Sequence, residues 1–407
     1  MVHVSFSGSG GAGNIARRLA GFPGSDDVIQ DLVVLTEDNI QKIKWSHPKL
    51  FLSAIYDFYV VRKFGQIQLF TIFRRGGSRI FRSLEGNPPD VLHIHWHPGV
   101  LTLEQIMSLR KVNSRLVVTL HDMNPMTGGC HFAEDCDGYK GLCTSCPQVR
   151  PIFRSRVVSE LKKKVEVFSA GDDLVVTSPA SWLCSEASQS KVFSKSEIIH
   201  VPNPLNLELF TPRPVETKRL LRESLGIPKK SFVIGFCAVN IADPRKNFVE
   251  VLKEFNLLRE DLAQQLELVL VVIGDGRKFV DNAAPGVRYL GAVDQVQELV
   301  SAYSTMDVFC SLSRDETFPN TIHESAALGI PNVLSDIPGH RHCQDVFGLL
   351  VNRENTFREC MLRIINDSRL RSMLSEGGIE YSKTLSGEVI NRRYEDIYRK
   401  LCDDSEK

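Results

Sequence analysis

Arg314-Asp315-Glu316-Thr317-Phe318-Pro319-Asn320-Thr321-Ile322-His323-Glu324-Ser325-Ala326-Ala327-Leu328-Gly329-Ile330-Pro331 lies between two short apolar runs, Val308 to Ser311 and Asn332 to Ser335. Each run reads as a strand bounded by turn residues. Asn320 to Leu328 are helix formers, and Pro319 suits the first helical turn, where a missing N–H costs nothing. Strand, helix and strand in so short a span make a βαβ unit, which implies a parallel sheet. Glu316 then stands on the loop entering the helix, and Glu324 about a turn inside. Between them the free N–H groups of the first turn offer a site for an anion, so Phe318, Pro319, Asn320 and Thr321 line the expected donor site, with Pro319 itself giving no N–H. Such a site would hold a nucleotide diphosphate by backbone amides, with one carboxylate on ribose and the other on a sugar. Two solvated glutamates near a helix start would give the same spacing.

The same alternation extends outward in both directions. Strand candidates in the first half are Val2 to Phe6, Leu32 to Leu35, Asp90 to His95, Leu116 to Leu120 and Leu174 to Thr177. In the second half they are Phe232 to Cys237, Leu268 to Ile273, Val287 to Leu290, and the two runs already quoted. Their continuous apolar character suits strands buried on both faces. Phe248, Val251, Leu252, Phe255 and Leu258 form a helical stripe, as do Ile390, Tyr394, Ile397 and Leu401. Val201-Pro202-Asn203-Pro204 stops helix and ladder alike, so a domain boundary falls near Asn206. The 407 residues fit two domains of about 200 each. Two Rossmann-like halves would meet at a cleft, where the carboxyl ends of strands bind ligands.

Composition narrows the class. An apolar share of 43% and a charged share of 24% belong to a soluble globular protein. Lysine plus arginine equal aspartate plus glutamate at 49 each, which gives no field favouring nucleic acid. Val2-His3-Val4-Ser5-Phe6 reads as a strand, not as a signal peptide, and no run approaches the roughly 18 to 20 apolar residues of a membrane span. The expectation is a cytoplasmic protein whose ten cysteines are reduced thiols or metal ligands.

Glu316 and Glu324 form an E-x7-E pattern, and the chain around them resembles glycosyltransferase family 4, of GT-B fold, whose members transfer sugar with retention. The resemblance extends over Gly8 to Gly13, Asp90 to Trp96, Val118 to Met123, Ser178 to Trp182 and Val201 to Pro204. It implies that Glu316 meets the donor sugar, that Glu324 meets the ribose, and that His121 lies beside the transferred sugar. Lys246, in Asp243-Pro244-Arg245-Lys246-Asn247, matches the family lysine expected on the leaving diphosphate, where charge develops. The commoner pattern has an arginine about five positions earlier; Ile241 stands there, with Arg245 as the substitute.

Gly10 and Gly11 belong to a loop, Gly8 to Gly13, that suits a backbone passing close to a sugar diphosphate. The same loop satisfies G-x-G-x-x-G, so a nicotinamide or flavin enzyme with Glu37 or Asp38 on the ribose is the rival reading. A GT-B epimerase or binding protein is a third. Among the histidines, His93 fits a core residue and His95 a cleft residue, while His121 ends a strand where ligand-facing residues sit.

Cys130, Cys136, Cys143 and Cys146 fall among glycines in a C-x5-C-x6-C-x2-C pattern. They predict either a structural zinc, with His131 as an alternative ligand, or reduced thiols in a polar loop. Asp135-Cys136-Asp137 is formally D-x-D, but no catalytic metal is expected of a GT-B enzyme. Between Lys42 and Arg82 nine basic residues face one acid, Asp57, with aromatics interleaved. That composition suits either anionic lipid or helices packed on a sheet.

The sequence therefore predicts an α/β protein of GT-B type, with two Rossmann-like domains facing each other across a cleft. Residues 1–205 bind the acceptor, residues 206–384 bind the donor, and a final helix within 385–407 returns to the first domain. The expected donor is a UDP- or GDP-sugar, the acceptor a glycan or lipid-linked glycan. Peripheral membrane contact accompanies the lipid-linked case.

Overall fold

The computed structural model of the chain describes residues 1–7, 10–21, 30–36, 70–71, 78–112, 114–168, 171, 173–277, 280 and 285–403. They form two compact units, Met1–Pro204 with Gly387–Lys407, and Leu205–Ser386. The stretch from Lys42 to Arg82 lies outside the described residues except for Phe70, Thr71 and the helix starting at Ser78.

In the first unit the elements run β1 (Val2–Ser7), α1 (Gly10–Ala20), β2 (Asp31–Thr36), α2 (Ser78–Gly86), β3 (Val91–Ile94), α3 (Leu103–Lys111), β4 (Arg115–Thr119), α4 (Arg154–Val167), β5 (Leu174–Ser178), α5 (Ser181–Gln189) and β6 (Glu197–His200). The six strands are parallel in the order β2-β1-β3-β4-β5-β6. Every residue of β3 and β5 is buried, which explains their unbroken apolar reading. β6 was not expected. Only Ile198 and Ile199 are apolar there, and as an edge strand it is covered on too little of its surface to need more.

The second unit runs α6 (Val215–Ser224), β7 (Phe232–Asn240), α7 (Phe248–Asp261), β8 (Leu268–Asp275), β9 (Val287–Gly291), α8 (Val296–Ser304), β10 (Val308–Ser311), α9 (Asn320–Ala327), β11 (Asn332–Ser335), β12 (Gly348–Val351), α10 (Phe357–Asn366) and α11 (Ser368–Lys383). Its parallel sheet has the order β12-β11-β10-β7-β8-β9. Four-residue β12, also unexpected, is the opposite edge. The stripe of α7 packs down as its spacing required, with Phe248, Val251, Phe255 and Leu258 buried on β7 and β8 residues such as Phe236 and Leu270.

The chain returns to the first unit in α12 (Gly387–Asp403). Ile390, Tyr394, Ile397 and Leu401 join Ile15, Leu19, Val91, Val117 and Val175 in one core. Strand order reverses between β1 and β3 in one sheet, and between β7 and β10 in the other. Those are the topological switch points, at whose carboxyl ends doubly wound sheets bind ligands. Among the described residues no helix is long and apolar enough to cross a membrane.

Candidate functional site

At the switch point of the second unit, two loops meet. The loop after β7 carries Lys246 and the loop after β10 carries Glu316. Asn247 sits at φ +54 and its amide donates to the Leu312 carbonyl at 3.0 Å, while the Arg314 amide donates to the Arg245 carbonyl at 2.8 Å. So latched, the loops bring Lys246 Nζ to 2.6 Å from Glu316 Oε1, which also accepts from Ser313 Oγ at 3.0 Å. Burial alone would raise the Glu316 carboxyl. The Lys246 ammonium and its hydrogen bond, with the charges of His340 and Arg245, outweigh burial and hold it below the ordinary carboxylate range. Arg245 donates to Asp243 Oδ2 at 2.6 Å, so it carries a partner that Lys246 does not share.

A third segment, following β11, closes the site. Gly339 lies so near Glu316 that a Cβ there would stand 2.1 Å from the Glu316 carbonyl oxygen. His340, fully buried, donates from Nδ1 to the Ser335 carbonyl at 3.0 Å. A carbonyl only accepts, so Nδ1 holds the proton and Nε2 is an acceptor. Among the described residues Nε2 has no partner. Burial lowers the His340 ring below its usual value despite Glu316, so that acceptor stays available at neutral pH. Sequence reasoning missed both residues. The signal was Pro338-Gly339, a turn dipeptide directly beyond a parallel strand.

Glu324 is buried in α9, and Tyr303 sits against it and Cys237. Burial, followed by the charges of those two groups, raises the Tyr303 hydroxyl well above its ordinary value. Pro319 is not in the first turn as expected. It precedes α9 with extended backbone, φ −71° and ψ 122°, and Asn320 and Thr321 open the helix. Phe318 stacks on His323 with ring centres 3.9 Å apart, which anchors the loop to the helix it enters. A larger groove, about 620 Å³, is lined by Arg213, Lys218, Arg222, Lys229 and Lys230 around Asp307. It opens at the starts of β7 and β10, the end of the sheet away from Lys246, and is not this site.

In the first unit the switch point is occupied by histidines. His121 Nε2 lies 3.0 Å from His95 Nδ1, His95 Nε2 lies 3.0 Å from His3 Nδ1, and His3 Nε2 lies 2.9 Å from Gln30 Oε1. Gln30 Nε2 donates to Asn391 Oδ1 at 3.0 Å, and Asn391 Nδ2 to Glu395 Oε1 at 3.1 Å. A carboxylate accepts and cannot donate, so Glu395 orients the whole row: each ring donates from Nε2 and accepts at Nδ1. His121 is thereby held as the Nε2–H tautomer with Nδ1 unprotonated. Burial pulls its pKa down to about 4. His121 also borders a small hollow of about 10 Å³ with His95, Trp96, His97, Asp122 and Asn124.

His3, His93 and His95 form the trio, among the described residues, whose ligand atoms all lie within 4.8 Å of one another. A metal there would have to displace existing bonds, since His93 is shared between Tyr398 Oη at 2.8 Å and Thr119 Oγ1 at 2.6 Å. The core reading of His93 therefore fits, and His95, of unassigned role in the sequence, is the middle of the row. Gly10 and Gly11 open α1. Cys130, Cys136, Cys143 and Cys146 line one small cavity. His131 is not beside them as a spare ligand. Its Nδ1 is 2.8 Å from Asp122 Oδ2 and its Nε2 2.9 Å from Thr71 Oγ1, so both nitrogens are committed.

Known proteins agree with this architecture. Residues 231–367 match the family model for glycosyl transferases group 1. The chain is 24% identical over 357 residues to the putative colanic acid biosynthesis glycosyl transferase WcaC of Escherichia coli K12, covering 82% of this chain and 84% of that one. It is 27% identical over 210 residues to the UDP-Gal:α-D-GlcNAc-diphosphoundecaprenol α-1,3-galactosyltransferase of Escherichia coli, covering 47% and 49%. Among solved structures, WaaG, a glycosyltransferase involved in lipopolysaccharide biosynthesis, superposes with TM-score 0.64 at 12% identity, over 98% of this chain and 99% of that one. Anabaena HepE in complex with UDP and glucose superposes with TM-score 0.62 at 14% identity, over 97% and 98%. With its two six-stranded parallel sheets the chain has a GT-B fold, and over residues 231–367 it is similar to glycosyl transferases group 1.

Proposed function

We propose that the chain transfers a hexose-type sugar, with retention, from a UDP- or GDP-sugar to a glycan or lipid-linked acceptor. The observation that carries this reading is the ion pair of half-buried Lys246 with buried Glu316 at the β7–β10 switch point, beside the amino end of α9 and the Nε2 of His340, unpartnered among the described residues. The diphosphate takes the α9 amides around Asn320 and Thr321 together with the Lys246 ammonium, aided by Arg245. Glu316 and His340 Nε2 accept hydroxyls of the sugar, and Glu324 those of the ribose. As the bond from the anomeric carbon to the phosphate oxygen breaks, Lys246 meets the charge that develops. The acceptor oxygen bonds to the anomeric carbon on the same face and loses its proton to the departing phosphate. Neutral His121 offers Nδ1 to a sugar hydroxyl. Cationic side chains and amides neutralise the diphosphate in this scheme, so it calls for no catalytic metal.

Support for a uridine donor comes from HepE, which binds UDP and glucose, and for a lipid-linked acceptor from the Escherichia coli enzyme named for its diphosphoundecaprenol substrate. Peripheral attachment through the basic stretch from Lys42 to Arg82 follows if the acceptor is lipid-linked, each basic residue near an anionic surface adding about 1 kcal/mol. The test is release of nucleoside diphosphate from a panel of UDP- and GDP-sugars, with the anomer of the product read by NMR. Donor-dependent release and a retained anomer are expected. Thermal stabilisation by a nicotinamide dinucleotide, with no release from any sugar nucleotide, would overturn the reading. Co-sedimentation with anionic but not neutral vesicles, lost at high salt, checks the membrane contact.

A further inference from the structure

Residues 120–153 connect β4 to α4 with three short 3-10 turns and no strand or α-helix of their own. A connection this long and irregular is uncommon in a compact domain unless something besides burial holds it. Its four cysteines face one enclosed cavity, which Phe70 and Tyr139 also line. The sulfurs of Cys136 and Cys143 lie 3.4 and 3.8 Å from the point where a Cβ would stand on Gly138, so both lean over the same turn.

Backbone amides are aimed at these sulfurs. The Gly138 N–H donates to Cys136 Sγ at 3.4 Å, and the amides of Gln148 and Val149 reach the Cys146 sulfur. The Gly128 amide does the same for Cys143. A neutral thiol is a weak acceptor, whereas an anionic sulfur rewards each such donor. Donors placed two and three residues beyond a cysteine are thus an arrangement for thiolates. Cys143 is also held at φ +53, a left-handed conformation that is unfavourable for a side-chain-bearing residue and persists where its surroundings over-determine it.

We propose that Cys130, Cys136, Cys143 and Cys146 bind one structural zinc ion as a tetrathiolate. Four sulfurs in a closed shell are the preferred structural zinc site, with Zn–S about 2.3 Å. The sulfurs must draw together to reach it, since no three of them lie mutually within 4.8 Å. Cys130 and Cys136 are both half-buried as residues. Binding replaces four thiol protons, which go to solvent, with one divalent ion, leaving a net charge of minus two. The buried Lys164 ammonium faces Cys130 and Cys143 and offsets part of it, while donating to the Asn124 and Thr127 carbonyls at 2.6 and 3.0 Å. The loop begins at His121, and Asp122 ties it down through His131 and the Asn124 amide. The ion therefore acts as a clasp on the segment that carries His121, with no part in the chemistry.

Elemental analysis of the full chain, purified under reducing conditions without chelator or added metal, tests this. One zinc per chain is expected, and all ten cysteines should titrate as free thiols once the protein is denatured without reductant. Cobalt taken up in place of zinc should give the intense visible absorption of a tetrahedral thiolate site. Cys136→Ser, at a partly exposed position, should lower the zinc content severalfold, and so should Cys146→Ser. Wild-type protein holding less than about a tenth of an equivalent of zinc would overturn the proposal. So would full occupancy in both serine variants, or two thiols missing as a disulfide.

Discussion

Removing the Lys246 ammonium leaves the Glu316 carboxylate buried with Ser313 as its side-chain donor among the described residues. Two losses follow: the charge that would meet the leaving diphosphate, and the charge that keeps Glu316 ionised. Lys246→Ala is expected to lower kcat by about 10² to 10³, the scale of one charge-stabilising donor. Arg245→Ala, whose guanidinium is already paired with Asp243, should cost less. Steady-state kinetics of the two variants decide this, and the reverse ranking would refute it. The pH dependence has a definite sign. Glu316 is held below its ordinary value of 4.5, so its contribution to stability is complete above 4.5 and disappears as pH falls through the lower folded value. Lys246 and Glu316 could be picked out from the sequence because each sits in a recognisable run. For His340 the sequence offered only the turn dipeptide Pro338-Gly339, which marks a loop beyond a strand but does not encode that this loop folds back on Glu316.

At the scale of elements, the strands buried on both faces were legible because burial demands an unbroken apolar run. β6 and β12 were not, since an edge strand carries less of that demand. Loop packing was equally hidden. Gly339 permits the segment after β11 to lie against the backbone of Glu316, and Gly339→Ala places a methyl 2.1 Å from a carbonyl oxygen. Backbone cannot yield as a flexible side chain does, so the loop must move. Activity should fall at least tenfold while the melting temperature drops by only a few degrees, because the clash is confined to a loop. A kinetic assay beside a melting curve checks this, and unchanged kcat would refute it. Gln30→Leu breaks the row that orients His121 at its far end from the site. It should reduce kcat more than KM, whereas Gln30→Glu, which still accepts from His3 Nε2, should recover part of the loss.

The molecule as a whole is two sheets joined at Pro204 and again at Gly387. The second crossing matters energetically. Ile390, Tyr394, Ile397, Tyr398 and Leu401 of α12 are all buried in the core of the first unit. Each fully buried apolar side chain contributes about 1.5 to 3 kcal/mol, so together they rival the 5 to 15 kcal/mol that holds a domain. A chain ending at Ser386 should therefore lose the first unit. Its circular dichroism should show a marked loss of ordered structure, with a cooperative transition surviving for residues 205–386. The stripe of α12 was plain in its spacing, and the prolines of 201–204 marked the first crossing. The order of the strands, and so the placing of both switch points, needs long-range pairing that local sequence does not contain.

The buried histidines of the first unit also make it a proton acceptor that works only when it unfolds. Burial lowers His3 and His121 to about 4 and His97 to about 3, and pushes His93 and His95 well down. In the unfolded chain all five return towards 6.5. Between those limits the unfolded state binds more protons, so stability is complete above pH 6.5 and falls as pH drops towards 4. Each extra proton contributes a slope of about 1.4 kcal/mol per pH unit, and several acting together would exhaust a domain's stability within one or two units. The melting temperature should accordingly be flat from pH 8 to 7 and fall steeply below 6, with uptake of several protons per molecule measurable by titration across the transition. A flat profile down to pH 5 would refute it. Acidification is then a collective event for this fold, in which the first proton admitted to the row opens the way for the rest.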